Sequence, residues 1–233
     1  MPLLAGEGVG AGEIEDIIAQ HGFASARSAG EADVIVVAHP DREALERLLA
    51  AGAPHAIIES PVRASDFGPR LQKAVERKGL YLSLSTGQAF NADLTSLLCN
   101  SCAKRLNLSE ERRLDIETAI EEALSNAMVH GNLDIASVLR NDPADFDLYC
   151  DLVNERLGDP KYAERRLEIL VVWNAKEIDI EVHDEGRGYD VAASKALPHL
   201  EAKCGRGFTL IRDLANNVTI GEHGRSLTMS FSP

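Results

Sequence analysis

Three short segments, far apart in the chain, restrict its fold because each belongs to a different kind of element and together they describe one site: Glu122-Ala-Leu-Ser-Asn126, Asp184-Glu-Gly-Arg-Gly188 and Gly205-Arg-Gly-Phe208. The first lies in an apolar-periodic stretch, residues 112–131, in which Ile116, Ala119, Ala123 and Ala127 share one helical face. Glu122, Asn126 and His130, spaced i, i+4, i+8, form a neighbouring polar stripe, so a carboxylate, an amide and an imidazole are expected to point the same way from a rigid helix. The second follows Ile178-Asp-Ile-Glu-Val-His183, which alternates as a half-buried strand does, so Asp184 falls where a strand gives way to a glycine-bearing turn. In the third, two glycines stand directly ahead of a predicted helix over residues 208–215. A Gly-rich turn opening a helix offers free N–H groups and the positive end of the helix dipole to phosphate. Carboxylate, amide, close-approach turn and phosphate cradle converge on a nucleotide.

The order of these motifs resembles that of the Bergerat-fold (GHKL) ATPases: an N-box helix, a DxGxG turn, then a GxG turn and helix. Within that superfamily the chain is most similar to the anti-sigma-factor serine/threonine kinases of bacterial partner switching. The resemblance rests on Glu122-Ala-Leu-Ser-Asn-Ala-Met-Val-His-Gly-Asn132, His183-Asp-Glu-Gly-Arg-Gly-Tyr-Asp190 and Gly205-Arg-Gly-Phe-Thr-Leu-Ile-Arg-Asp-Leu-Ala-Asn-Asn-Val218, and covers residues from about 80 to the C-terminus. It implies an α+β fold, a Bergerat-type α/β sandwich with a mixed sheet covered by helices, and it implies ATP and Mg²⁺.

By that resemblance Glu122 is the general base, which needs a carboxylate within hydrogen-bond reach of the attacking hydroxyl. Taken alone on a helix it would be a solvated face residue. Asn126 is the Mg²⁺ ligand, its neutral amide oxygen able to share an octahedral shell with phosphate oxygens and water. His130 is either a phosphate contact or a helix-end residue favoured by the dipole. Asp184 accepts from the exocyclic amine of adenine, and Gly186 and Gly188 permit the turn and the close approach. Gly205, Arg206, Gly207 and Phe208 cradle the triphosphate, residues 190–203 form a mobile lid, and Thr228 on the last strand supports Asp184.

Residues 1–78 read as short apolar strands alternating with helices, a small α/β domain preceding the nucleotide-binding domain of residues 79–233. Ala32-Asp-Val-Ile-Val-Val-Ala38 suits a buried parallel strand, residues 41–51 and 67–78 carry helical patterns, and residues 56–58 another strand. The layout is similar to a response-regulator receiver domain, one βα unit short of the usual five. The receiver's chemistry is missing: its phosphoacceptor position reads Ala38-His39-Pro40, its acidic pair only Glu7, and its Lys before Pro reads Ser60-Pro61. The implied module is degenerate and serves contact or regulation. Lys78-Gly79 reads as a linker, residues 80–84 as a strand, residues 90–106 as a helix, and Ser109 as the N-cap of the N-box helix. Residues 133–166 are longer than a minimal kinase of this family needs, and residues 145–156 are helix-like, so a helical insertion is expected near the site. Two strands, 167–173 and 177–183, and a closing hairpin over residues 219–231 complete the pattern.

A formal net charge of −13 argues against binding a nucleic-acid backbone, which rests on clustered Lys and Arg. With no apolar run long enough for a membrane span and no signal-peptide pattern, the chain is expected in the cytosol, off the membrane. Cys99, Cys102, Cys150 and Cys204 fit reduced thiols there, and the Cys99/Cys102 pair, lacking a second pair at zinc spacing, reads as small core side chains. The implied action is phosphorylation of Ser or Thr on an anti-sigma-factor-antagonist-like protein, coupled to holding a sigma factor or another target, with homodimerisation as a further option. Two alternatives stay open: an ATP-dependent protein-binding switch without phosphotransfer, and the catalytic fragment of a histidine kinase. The latter needs a substrate histidine on a two-helix hairpin, a setting that none of His21, His39 or His55 has.

Overall fold

A computed structural model describes residues 1–50, 54–106, 108–136, 146–188 and 205–233. Five parallel strands come first, β1 (Leu3–Glu7), β2 (Ala24–Ser25), β3 (Val34–Ala38), β4 (Ala56–Ser60) and β5 (Leu80–Ser85), with helices α1 (Ala11–His21), α2 (Arg42–Ala50) and α3 (Pro69–Arg77) between them. Then come α4 (Thr86–Asn91), α5 (Leu94–Leu106), α6 (Glu110–Ser125), a π-helical turn (Asn126–Asn132), α7 (Phe146–Gly158) and α8 (Pro160–Ala163). Strands β6 (Arg166–Trp173) and β7 (Ile178–Asp184), helix α9 (Gly205–Leu214), and strands β8 (Asn217–Gly221) and β9 (Ser226–Phe231) close the chain.

Among the described residues all nine strands form one mixed sheet, in the order β2-β1-β3-β4-β5-β6-β7-β9-β8. Strand pairs are parallel as far as β4 with β5, and antiparallel from β5 with β6 onward. Helices cover one face of this sheet throughout, and α1 and α3 cover the other as far as β6, which is the mixed α/β sandwich anticipated from the sequence. Val34 to Val37 are all buried, as a parallel strand between two helical layers requires. Val34, Val36, Ile58 and Tyr81 face α1 and α3, whereas Ile35, Val37, Ile57 and Leu82 face the layer of α2, α5 and α6.

The sheet crosses residue 78 without a break. Lys78 caps α3 in a left-handed conformation (φ 53°), and Gly79 N donates to Ala74 O at 2.8 Å, a six-to-one closure of the helix end. Gly79 lies directly against the carbonyl of Val171, so Lys78-Gly79 is a tight helix-to-strand connection rather than a loose linker. The helix expected over residues 90–106 is two helices. Asp93 has φ 50°, a conformation Asp tolerates better than most residues, and Arg42 holds the corner by donating to Ala92 O and Asp93 Oδ2, both at 2.9 Å. Cys99 and Cys102 are buried in α5. Burial pushes both thiols up, Cys102 to about 12. In the expected insertion, α7 and α8 pack Val153 and Tyr162 onto Val129, Leu133 and Ile135.

Two arginines fasten the parallel strands to the antiparallel ones. Arg166 opens β6, and its side chain is almost fully buried; Nη2 donates to Glu59 O (2.7 Å) and Pro61 O (2.6 Å), and the guanidinium pairs with Glu59 and Asp66 at 3.4 and 3.5 Å. Asp66 also accepts from Ser83 Oγ at 2.6 Å. Arg70, on α3, reaches Glu168 (2.9 Å), Glu181 (2.7 Å) and Glu222. Arg166→Met should lower stability by about 3–5 kcal/mol, because it leaves Glu59 and Asp66 buried without their cation. The shift of the urea midpoint measures this; a loss within the range of a surface substitution would refute the role given to Arg166.

Candidate functional site

Helix α6 begins at Ser109, whose Oγ accepts from Arg112 N at 3.2 Å, and Glu110 and Glu111 in the first turn complement the dipole. Ile116, Ala119, Ile120, Ala123 and Leu124 fix it on the sheet, leaving Glu122 at its half-buried edge. At Asn126 the α-helix gives way to the π-helical turn, where i→i+5 pairing turns the chain less per residue. The single stripe expected for Glu122, Asn126 and His130 is therefore bent at its second member. His130 Nδ1 lies 2.7 Å from Ile135 O; a carbonyl only accepts, so that nitrogen carries the proton and the ring ties the end of the turn to the segment beyond it.

The turn delivers two further residues to the site, neither of which the motif reading gave a role. Gly131 lies against Asp184 so closely that a side chain there would place its Cβ 2.5 Å from the carboxyl carbon. Asn132 is fully buried: its Nδ2 donates to Thr86 Oγ1 (2.8 Å) and Arg166 O (2.9 Å), and its Oδ1 accepts from Glu185 N (2.8 Å). One amide thus joins the end of the N-box, the start of α4, the start of β6 and the turn after β7. A glycine inside a helical pattern, where it costs about 1 kcal/mol against alanine, was the available signal for Gly131. Nothing in the local pattern singles out Asn132.

Asp184 ends β7 on the same face as Ile178, Ile180 and Val182, the face covered by α6. Gly186 N donates to its Oδ1 at 2.8 Å, and Gly186 itself meets the carbonyl of Gly131. Two glycines thus clamp the carboxylate. Gly188 has φ +65° and lies against the carbonyl of His223, so it is required both for its conformation and for its lack of a side chain.

Helix α9 packs on α6, with Gly207 against the Glu122 carboxylate. Gly205, Arg206 and Gly207 are the first residues of this helix, not a turn ahead of it. Phe208 is half-buried, with the Arg212 guanidinium 4.6 Å from its ring centre. The expected lid, residues 190–203, lies outside the described residues. Thr228 is not beside Asp184. It pairs with Glu181 and Thr219, and strand alternation turns it to the opposite face from Leu227, Met229 and Asp184. A support for Asp184 on β9 would need the other parity.

The site therefore joins an acidic helix edge, a caged carboxylate and a glycine-bearing helix start. The sequence model of the histidine kinase-like ATPase domain matches residues 91–231, more than half of the chain. The chain belongs to this family. It carries an ATP-binding, kinase-like ATPase domain of GHKL type. No curated protein is significantly similar to it. Asp184 is a buried acceptor with one oxygen taken by the Gly186 amide, and a side chain at Gly131 or Gly186 would collide with its carboxylate. Among the described residues no group of three or more His, Cys, Asp or Glu side chains is placed to hold a metal ion, and no helix is long and apolar enough to cross a membrane.

Burial raises the Asp184 pKa from 3.8 to about 6, and the Gly186 amide, Arg225 and Arg165 oppose that rise. Between these values the folded state keeps a proton that the unfolded chain releases, so the contribution of this group to stability is full below about pH 4 and falls as pH rises to about 6. Binding of an adenine by Asp184 would run the other way, because the ionised carboxylate is the better acceptor. Affinity for adenosine, which carries no phosphate to titrate, should be level above pH 7 and fall by about tenfold per unit below pH 6, and Asp184→Asn should flatten the profile. Titration calorimetry from pH 5 to 8 checks this; a level wild-type profile would exclude the ionised acceptor. Gly131→Ala should weaken the binding of a non-hydrolysable ATP analogue roughly 10- to 100-fold by displacing the carboxylate, a loss of the size of one charged hydrogen bond. Unchanged affinity would remove Gly131 from the site.

Proposed function

We propose that the protein is an ATP- and Mg²⁺-dependent signalling regulator, a serine/threonine protein kinase of the anti-sigma-factor partner-switching type. The observation that carries this reading is the placement of Glu122: its carboxylate lies against Gly207 in the opening turn of α9, on the α6 helix whose continuation meets the adenine-side Asp184. A carboxylate at each end of one site divides recognition from chemistry.

Bound ATP supplies the phosphoryl group. Asp184 accepts from the exocyclic amine of adenine, held there by Gly131 and Gly186. Asn126, one turn beyond Glu122, offers its amide oxygen to Mg²⁺, which commonly keeps several waters and takes few protein ligands. Glu122 takes the proton of the attacking serine or threonine hydroxyl. The backbone at Gly205, Arg206 and Gly207 faces the phosphates from a helix start. His130, with its proton committed to Ile135 O, contacts phosphate only through its other ring nitrogen, and then only in the charged form.

Residues 1–78 act as a degenerate, truncated receiver-like module. The strand order β2-β1-β3-β4 agrees with this, and so do the strand ends: Glu7 pairs with Arg47, Ser60 donates to Glu13 at 2.7 Å, and β3 ends at Ala38. Such a module transmits contact instead of accepting phosphate. The protein works in the cytoplasm, where it acts on an anti-sigma-factor-antagonist-like protein or holds a sigma factor. A histidine-kinase fragment is disfavoured, because His21 ends α1, His39 follows β3 and His55 precedes β4.

Phosphotransfer to a cognate partner and affinity for ATP, both measured for each variant, test the assignment. Glu122→Ala should lower the transfer rate by roughly 10²- to 10⁴-fold while nucleotide affinity stays within a few-fold, since a general base acts in the transition state. Asn126→Ala should also weaken Mg²⁺-dependent binding. Transfer at the wild-type rate by Glu122→Ala would sink the kinase mechanism and leave an ATP-dependent binding switch as the better reading.

A further inference from the structure

The turn that carries Asp184 is held from outside the segment that the family match covers. Arg63 lies in the connection between β4 and α3 and donates through Nη1 to both carboxylate oxygens of Glu185, at 3.1 and 2.8 Å. Its Nη2 donates to Glu164 O at 2.7 Å, and its own backbone N–H donates to Asp66 Oδ2 at 2.6 Å. Glu185 also accepts from Arg166 N at 2.7 Å, while the side chain of that same Arg166 holds Pro61 O, two residues before Arg63. The result is a closed ring: Glu185 to Arg63, along the chain to Pro61, across to the Arg166 side chain, and from the Arg166 backbone to Glu185 again.

Glu185 is the residue between Asp184 and Gly186, the two whose mutual hydrogen bond sets the carboxylate. Its backbone N–H is fixed by Asn132 and its side chain by Arg63, so the peptide unit that follows Asp184 cannot shift without breaking one of these bonds. The Arg63 and Glu185 side chains are 40% and 33% exposed. A pair this open to water adds little to folding stability, so its consequence is geometric. We infer that Arg63 is a positioning residue for the nucleotide turn: through Glu185, the first half of the chain sets where Asp184 presents its carboxylate, and nucleotide affinity is coupled to the conformation of the connection between β4 and α3. This rests on Asp184 as the adenine acceptor. It supplies what a regulatory first half requires, a direct physical contact with the nucleotide site that a partner bound near that connection would strengthen or release.

The test uses the full chain and four forms: wild type, Arg63→Ala, Glu185→Ala and the double variant. Affinities for adenosine and for a non-hydrolysable ATP analogue are measured beside urea midpoints. Each single change should weaken both ligands by the same factor, roughly 2- to 30-fold, because the loss is at the adenine end and not at the phosphates. The double variant should be no weaker than the worse single one, since either deletion removes the same contact. Midpoints should move little. Arg63→Gln, which keeps a donor and most of the side-chain length, carries the same comparison if the alanine form does not fold. Wild-type affinity in Arg63→Ala, losses that multiply in the double variant, or losses that follow the urea midpoint would each overturn the inference. A wild-type protein that binds neither ligand would overturn the nucleotide reading itself, a result distinct from the others.

Discussion

A guanidinium taken out of water needs acceptors and a counter-charge, and the buried Arg166 obtains its counter-charges, and acceptors for Nη1 and Nη2, from the strand and turn that precede α3. That requirement organises the molecule. It draws Glu59, Pro61 and Asp66 to the start of β6, and it fixes the junction at which the sheet changes from parallel to antiparallel. The backbone of the same residue, with its N–H on Glu185 and its C=O on Asn132, then sets the turn after β7 and the end of the N-box. A buried charge so tied is poor evidence of stability in itself. Its effect is specificity of arrangement, because a packing that parts it from Glu59 and Asp66 leaves two buried carboxylates without their cation.

The second constraint is the burial of Asp184. Low dielectric strengthens a hydrogen bond made by a carboxylate and also makes the ionised form harder to keep, and the chain holds both effects in balance with one backbone amide and two nearby arginines. The glycines at 131 and 186 are the steric half of the same device. They let two chain segments close on the carboxylate where any side chain would collide with it. The π-helical turn has a matching part, since it brings Gly131 onto Asp184 and turns Asn132 inward, where an uninterrupted α-helix would have continued the polar stripe of Glu122 and Asn126.

Much of this was legible in the sequence wherever a short-range rule governs. Period-two and period-3.6 patterns gave many of the strands and helices in both halves, the Ser109 cap gave the start of α6, and three ordered motifs gave the histidine kinase-like ATPase family. Errors fell where a local pattern admits two backbones. The helix over residues 90–106 broke at Asp93, because a left-handed residue and the Arg42 contact override continuous helical periodicity. The GxG segment entered its helix a turn early, and Thr228 took the opposite face because one residue of register on an antiparallel strand reverses every side chain.

What the sequence determined by itself was most of the longer elements and the chemical class of the site, since both depend on residue type at fixed short spacing. The tertiary structure alone decided that the two halves share one sheet, that Asn132 is a fourfold junction, and that Arg63 reaches the turn after β7, 122 positions away along the chain. Contacts at that separation depend on strand order and on which buried polar groups must be satisfied together. No periodicity in the sequence records either, because each is settled only when the chain closes on itself.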